Sequence, residues 1–187
     1  MEKDYRNLHI MTVTGPDINN GPGFRITIWV SGCTHKCHNC QNKHTWKYGQ
    51  GHCLDDNYNR LPDMTYKKKI MSLISDTHID GITISGGDPL DQDQLALEEL
   101  RDFLYDMKKR YPKKTIWLYT GCLYEDLTYF QLQVARYCDV IVDGRYEEEN
   151  RDITLPYRGS SNQRLIDVKK SMIEGRTVTL NDDKFKS

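Results

Sequence analysis

Along the chain, short apolar runs alternate with longer stretches whose apolar positions fall three and four apart. Residues 24–30, Phe-Arg-Ile-Thr-Ile-Trp-Val, have the β-branched and aromatic content of a buried strand, which ends at Ser31-Gly32. Residues 49–62, rich in Gly, Asn and Asp, read as a surface loop. Tyr66, Ile70, Leu73 and Ile74 then mark one face of a helix with Asp63 or Thr65 near its N-cap. Asp80-Gly81 turns the chain into a strand at 82–85 that runs straight into Gly86-Gly87-Asp88-Pro89. A second helix carries Leu97, Leu100, Leu104 and Met107 and stops before Pro112. Residues 115–120 predict a third strand, ended by Gly121, and Leu127, Phe130, Val134 and Tyr137 predict a third helix. A fourth strand at 139–143 ends at Gly144, a terminal helix is expected over 164–172, and the tail from about 174 to 187 reads as disordered chain or a terminal strand.

This β-α-β order implies an α/β fold with a mainly parallel sheet and right-handed crossovers. A chain of 187 residues is too short for a complete eight-unit barrel of about 250, so a partial, open (βα) barrel in a single domain is expected, with its core over about 8–172. Cys33 to Cys40, Gly86 to Pro89, Thr120-Gly121-Cys122 and Asp143-Gly144 each follow a predicted strand. The carboxyl ends of parallel strands lie on one edge, where ligands bind, so the four segments converge on one site.

Composition narrows the setting. With 26 Lys and Arg against 27 Asp and Glu, no long-range field draws the chain to nucleic acid or to an anionic membrane. The first six residues lack the apolar core of a signal peptide, and no apolar run approaches the roughly 20 residues of a membrane span, so a cytoplasmic protein is expected. There a tight cluster of three among six cysteines reads as metal-binding rather than as disulfides. Cys33-x-x-x-Cys37-x-x-Cys40 supplies three thiolates, one short of a closed zinc or [4Fe–4S] site, which would leave one iron of a cluster open. Spacing alone leaves zinc open too, because His35, His38, His44, His52 or Cys53 could complete it. Structural zinc sites usually come as two separated pairs, and a second pair is missing.

The cysteine triplet, followed by Gly86-Gly87-Asp88-Pro89 after a later strand, resembles the radical S-adenosylmethionine (SAM) superfamily, whose second motif is usually Gly-Gly-Glu-Pro. More narrowly, Asn20-Gly-Pro-Gly23, Ser31-Gly-Cys33, Asn42-Lys-His-Thr-Trp46, Ser85 to Leu90, Tyr119-Thr-Gly121, Asp143-Gly144 and Arg158-Gly-Ser-Ser-Asn-Gln163 resemble, in order, the activases of anaerobic ribonucleoside-triphosphate reductases. The resemblance implies a [4Fe–4S] cluster on Cys33, Cys37 and Cys40 whose fourth iron takes the amino and carboxylate groups of SAM. It implies reductive cleavage to methionine and a 5′-deoxyadenosyl radical, which abstracts hydrogen from a glycine in the reductase large subunit. Gly87, with Gly86 and Asp88, is implied at the methionine amino group, and Asn39, Cys40 and Gln41 as main-chain contacts to the adenine side. Asn39 stands where the superfamily often has an aromatic residue. A separate electron donor such as reduced flavodoxin is implied as well. Two other readings remain open: an activase of another glycyl-radical enzyme such as pyruvate formate-lyase, and a zinc-stabilised binding module.

The other candidates read more plainly. Cys138 is expected in the core, Cys122 in packing rather than at substrate, and Cys53 carries no assigned role. His35 and His38 are expected as exposed loop residues, Trp46 and Trp117 as core or loop anchors, and Tyr146-Glu-Glu-Glu149 as a solvated face. Residues 158–163 stand open between a partner-facing segment and an ordinary loop.

Overall fold

The computed structural model describes residues 7–61 and 63–185. The first six residues, Pro62 at the end of the expected loop and the last two residues of the tail lie outside the described residues. Seven strands form one sheet: β1 His9–Asp17, β2 Arg25–Val30, β3 His52–Cys53, β4 Gly81–Gly86, β5 Thr115–Tyr119, β6 Val140–Asp143 and β7 Arg164–Asp167. Their order is β3-β1-β2-β4-β5-β6-β7, so the sheet is open, with β3 and β7 at its edges. The pairs β2–β4, β4–β5 and β5–β6 are parallel, and β1–β2, β1–β3 and β6–β7 are antiparallel. The four central strands are thus the parallel, open α/β core that the β-α-β order predicts.

Burial explains why these segments are strands. All six residues of β4 and all four of β6 are buried, the continuous pattern of strands covered on both faces. Among the described residues, four α-helices accompany them: α1 Tyr66–Ile74, α2 Gln94–Arg110, α3 Tyr129–Ala135 and α4 Val168–Glu174. Thr65 caps α1 through Lys68 N, and the Asp93 carboxylate caps α2 through the amides of Leu95 and Ala96. Thr128 and Gln131 close a capping box on α3. The expected helix faces are inside: Ile70 and Ile74 of α1, and Leu97, Leu100, Leu104 and Met107 of α2, are all buried.

The structure corrects the sequence reading in three places. Residues 164–167 are not the start of a helix but β7, antiparallel to β6, with Leu165 and Ile166 both fully buried. The helix begins only at Val168, where the Asp167 carboxylate accepts from Lys170 N. The polar stretch at 49–62 is not all loop, since His52–Cys53 pairs with the start of β1 and Leu54 is buried. Strand β1 has no counterpart in the predicted elements, because Gly15, Pro16 and exposed polar positions interrupt its apolar pattern. Of the two expectations for the tail, pairing prevails: Asp167 N donates to Val178 O, Leu180 N to Leu165 O, and Phe185 packs edge-on to Trp117. Among the described residues, no helix is long and apolar enough to cross a membrane.

Candidate metal and cofactor site

The cysteine segment leaves β2 at Val30 and is tied at once to the turn that follows it: Gly32 N donates to Thr45 O and Cys33 N to Trp46 O. Two residues inside it, Lys36 (φ 49°) and Asn39 (φ 55°), adopt the left-handed conformation. Asn tolerates that region several-fold better than most residues, which accounts for Asn rather than an aromatic side chain at position 39. Cys33, Cys37 and Cys40 are free thiols, each partly buried. Together with Asn39, Gln41, Gly86, Gly87 and Asp88 they line one cleft of about 660 Å³. The structure therefore brings all eight sequence-derived site residues to a single opening, joined there by Thr120, Gly121 and Gly144 from the other strand ends.

The thiols suit a soft metal. Burial pushes the Cys33 thiol up to about 12, so its thiolate needs a cation beside it, and iron or zinc held by the three sulfurs would supply one. Zinc would need a fourth protein ligand, and of the candidates His35 alone among the described residues also lines the cleft, with a ring nitrogen within 4.8 Å of Cys33 Sγ. His52 and Cys53 are on β3, beyond β1, with the His52 ring stacked on Tyr66 at 4.6 Å. His38 and His44 are exposed, and His35 is engaged. Among the described residues, the cleft is lined by three sulfurs and no fourth. That donor set fits a cluster with one open iron.

Gly86 and Gly87 are explained first by protein rather than by ligand. A Cβ on Gly87 would stand 2.4 Å from Gly32 O, and one on Gly86, at φ +107°, would stand 2.6 Å from Val30 O. The amides of Gly87 and Asp88 donate to Val30 O and Gly32 O, both at 2.8 Å. The glycines thus let the end of β4 lie directly against the root of the cysteine segment.

Asp88, 1% exposed, ties the site together. Its Oδ1 accepts from the amides of Leu90 (2.8 Å) and Asp91 (3.2 Å), and its Oδ2 from Thr120 Oγ1 (3.0 Å) and Gly121 N (2.8 Å). The same Oδ2 is 2.7 Å from His35 Nε2. His35 is therefore not the exposed loop residue expected from sequence: its side chain is 10% exposed, and the bond to Asp88, with Cys122 beside it, raises its pKa to about 10. The imidazole Nε2–H thus donates to the carboxylate. Further ties were not legible in advance. Asp91 Oδ2 accepts from Thr34 N and Oγ1, and Gln92 Nε2 reaches Ser31 O, Gly32 O and Asp88 O. The Asx pattern of Asp88 two residues before Leu90 is a sequence signal of that turn, whereas nothing in sequence marks Gln92.

The remaining candidates settle by position. Cys138 is buried and Trp117 is 2% exposed, as core residues. Cys122 packs against the core, 4.0 Å from His35 Nε2, and does not line the cleft. His38 is exposed as expected, while Tyr146 and Glu148 face the cleft rather than a uniformly solvated side. Residues 158–163 clasp the end of β6: Gln163 Nε2 donates to Gly144 O, Asn162 Nδ2 to Arg145 O, and Ser160 is fully buried. Asp143 is also fully buried, accepting from Tyr124 N and from the guanidinium of Arg164, which reaches Glu125 as well. That guanidinium lowers Glu125 from 4.5 to about 2. A carboxylate depressed on folding stabilises above its unfolded pKa and loses that contribution as pH falls toward 2. The gap in melting temperature between wild type and Glu125→Gln should therefore be largest near neutrality and narrow as pH falls from 6 to 3, by a small amount because the pair is half exposed.

Known proteins resemble this chain closely in sequence. The 4Fe-4S single cluster domain family matches residues 19–166. The anaerobic ribonucleoside-triphosphate reductase-activating protein of Enterobacteria phage T4 is 41% identical over 149 residues, covering 80% of this chain and 87% of that protein. The protein of the same name from Haemophilus influenzae is 38% identical, covering 79% and 90%. The one from Escherichia coli K12 is 36% identical with the same coverage. Among solved structures, QueE from Escherichia coli aligns over 76% of this chain and 75% of that one, at 14% identity and a TM-score of 0.44.

Proposed function

Because this chain belongs to the family of anaerobic ribonucleoside-triphosphate reductase-activating proteins, carrying its 4Fe-4S domain, we propose that it is the radical SAM activase of such a reductase. It binds a [4Fe–4S] cluster on Cys33, Cys37 and Cys40, cleaves SAM reductively, and generates the glycyl radical of the reductase large subunit by hydrogen abstraction. The observation that carries this reading is the cleft in which three thiols, and no fourth, share one opening with the Gly86-Gly87-Asp88 strand end.

A cluster held by Cys33, Cys37 and Cys40 would supply the electron for cleaving the sulfonium S–C bond and, with three protein ligands, a coordination position for SAM. The protein's own part is placement. The N–H groups of an amino group need acceptors, so the carbonyl oxygens at the end of β4 are the groups for it, since the amides of Gly87 and Asp88 are committed to Val30 O and Gly32 O. Asn39, Cys40 and Gln41 line the same cleft and would offer main-chain groups to the adenine side. The cleft is open rather than enclosed, as a glycine-bearing loop of a protein substrate requires, and a glycine is a fitting target because no side chain hinders approach to its Cα. The electron comes from a separate donor such as reduced flavodoxin, in the cytoplasm.

Anaerobic reconstitution with iron and sulfide, reduction with dithionite and addition of SAM should yield methionine and 5′-deoxyadenosine. Incubation with the reductase should then give a glycyl-radical EPR signal. A colourless protein that takes up zinc and never cleaves SAM overturns the enzyme reading. A radical on another glycyl-radical enzyme, with none on the reductase, overturns the choice of partner.

A further inference from the structure

Three strand-end motifs meet at a side chain to which the activase reading gives no task, His35. Its imidazole lies between Cys33 and Cys37 in sequence but leaves the cysteine segment for the neighbouring strands, where Nε2 sits 2.7 Å from Asp88 Oδ2. The place it occupies is shaped for a ring. A Cβ on Gly121 would stand 2.5 Å from His35 Cδ2, 2.7 Å from Nε2 and 3.0 Å from Cγ, so the missing side chain at 121 is the space that the imidazole fills. The Gly121 amide and the Thr120 hydroxyl donate to the same Oδ2, so that oxygen is held in place independently of His35. The Cys122 thiol closes the side of the seat at 4.0 Å.

We infer that His35 is a positioning residue, and that Asp88, Thr120 and Gly121 form its receptor, a buckle that holds the cysteine segment to the ends of β4 and β5 in metal-binding order. The segment needs such a tie. Between His35 and Cys40 one backbone–backbone bond is present among the described residues, Cys40 N to Cys37 O, and two of these residues are left-handed. Thr34 on Asp91 secures its first turn, while His35 links the middle of the triplet to Asp88, which is itself bonded to Thr120 and Gly121 after β5. A ligand loop that is ordered in advance loses less conformational freedom when the metal binds, which raises affinity without touching the metal. This role rests on the reading of Cys33, Cys37 and Cys40 as the metal-binding set.

The test uses the full chain after anaerobic treatment with iron and sulfide, and reads amide hydrogen exchange across 33–40 together with the rate of iron loss to a chelator. His35→Ala removes the tie. Gly121→Ala closes the seat and leaves every tie-forming side chain present. His35→Gln keeps an N–H at about the reach of Nε2. Loss of a charge-assisted hydrogen bond predicts at least about tenfold faster exchange and iron loss in the two alanine variants. The effect should be confined to 33–40, with His35→Gln within about threefold of wild type, as rescue by a conservative replacement requires. Unchanged exchange over 33–40 in His35→Ala overturns the inference. So does acceleration spread equally over β4 and β5, or failure of Gln to restore protection. The exchange measurement is readable whether or not iron is taken up, so it separates failure of the buckle from failure of the activase reading.

Discussion

Replacing Cys37 by alanine is expected to abolish SAM cleavage, and Cys33→Ala and Cys40→Ala to do the same, while Cys53→Ala keeps most of the wild-type rate. The cleft offers three sulfurs, so each substitution leaves two, and no other described thiol lines the opening to replace the one lost. Even loss of a hydrogen-bond partner behind a metal ligand costs about 10–100-fold in affinity or activity, and loss of the ligand itself costs more. Folding should survive, because the three side chains are only partly buried and lie outside the apolar core. Cys33→Ala even removes a thiol whose ionisation burial opposes. Cys53 sits on β3, beside His9 across β1, and its replacement leaves the donor set intact. Iron content, circular dichroism and 5′-deoxyadenosine yield, measured on all four variants, check this. A Cys53→Ala protein without iron, or a Cys37→Ala protein that still cleaves SAM, contradicts the ligand assignment.

The parallel core and its functional edge were legible because they are written in local patterns. Residues 82–85 and 139–143 are apolar runs closed by glycine, and α2 repeats Leu and Met at helical spacing beneath a good cap. The cysteine triplet and Gly86-Gly87 were legible for a different reason, since few residue types satisfy soft-metal ligation or permit two backbones to approach within a Cβ. What escaped notice depends on contacts distant in sequence. Strand β7 reads as the start of a helix because four residues carry little periodicity, and only pairing with β6 decides the matter. Likewise, His35 looks like any polar loop residue until Gly121, 86 positions away, is seen to leave room for its ring. Asp88 was noticed as part of a motif implied to bind substrate, yet its carboxylate oxygens are turned to the protein.

That inward turn makes Asp88→Ala the most destabilising single substitution expected at this edge. The carboxylate accepts from Leu90 N, Asp91 N, Thr120 Oγ1, Gly121 N and His35 Nε2, all at 3.2 Å or less, in a place 1% exposed to water. Alanine leaves these donors without an acceptor, and water has little access to replace it. Each buried donor so abandoned costs about 1–3 kcal/mol, and because the losses share one site and relax together, their sum should be about 3–5 kcal/mol rather than the full total. Against the roughly 5–15 kcal/mol that holds a domain together, this is a large fraction. Asp88→Asn divides the effect. Its carbonyl can still accept from Leu90 and Asp91, but its amide then faces the Thr120, Gly121 and His35 donors with hydrogens of its own, so about half the loss should remain. Denaturant melts of metal-free wild type, Asp88→Asn and Asp88→Ala should show midpoints falling in that order at constant slope. Equal midpoints for wild type and Asp88→Ala would mean that the strand ends are held by something other than this carboxylate. Because the metal-free chain is measured, a drop in midpoint reports the structural role alone.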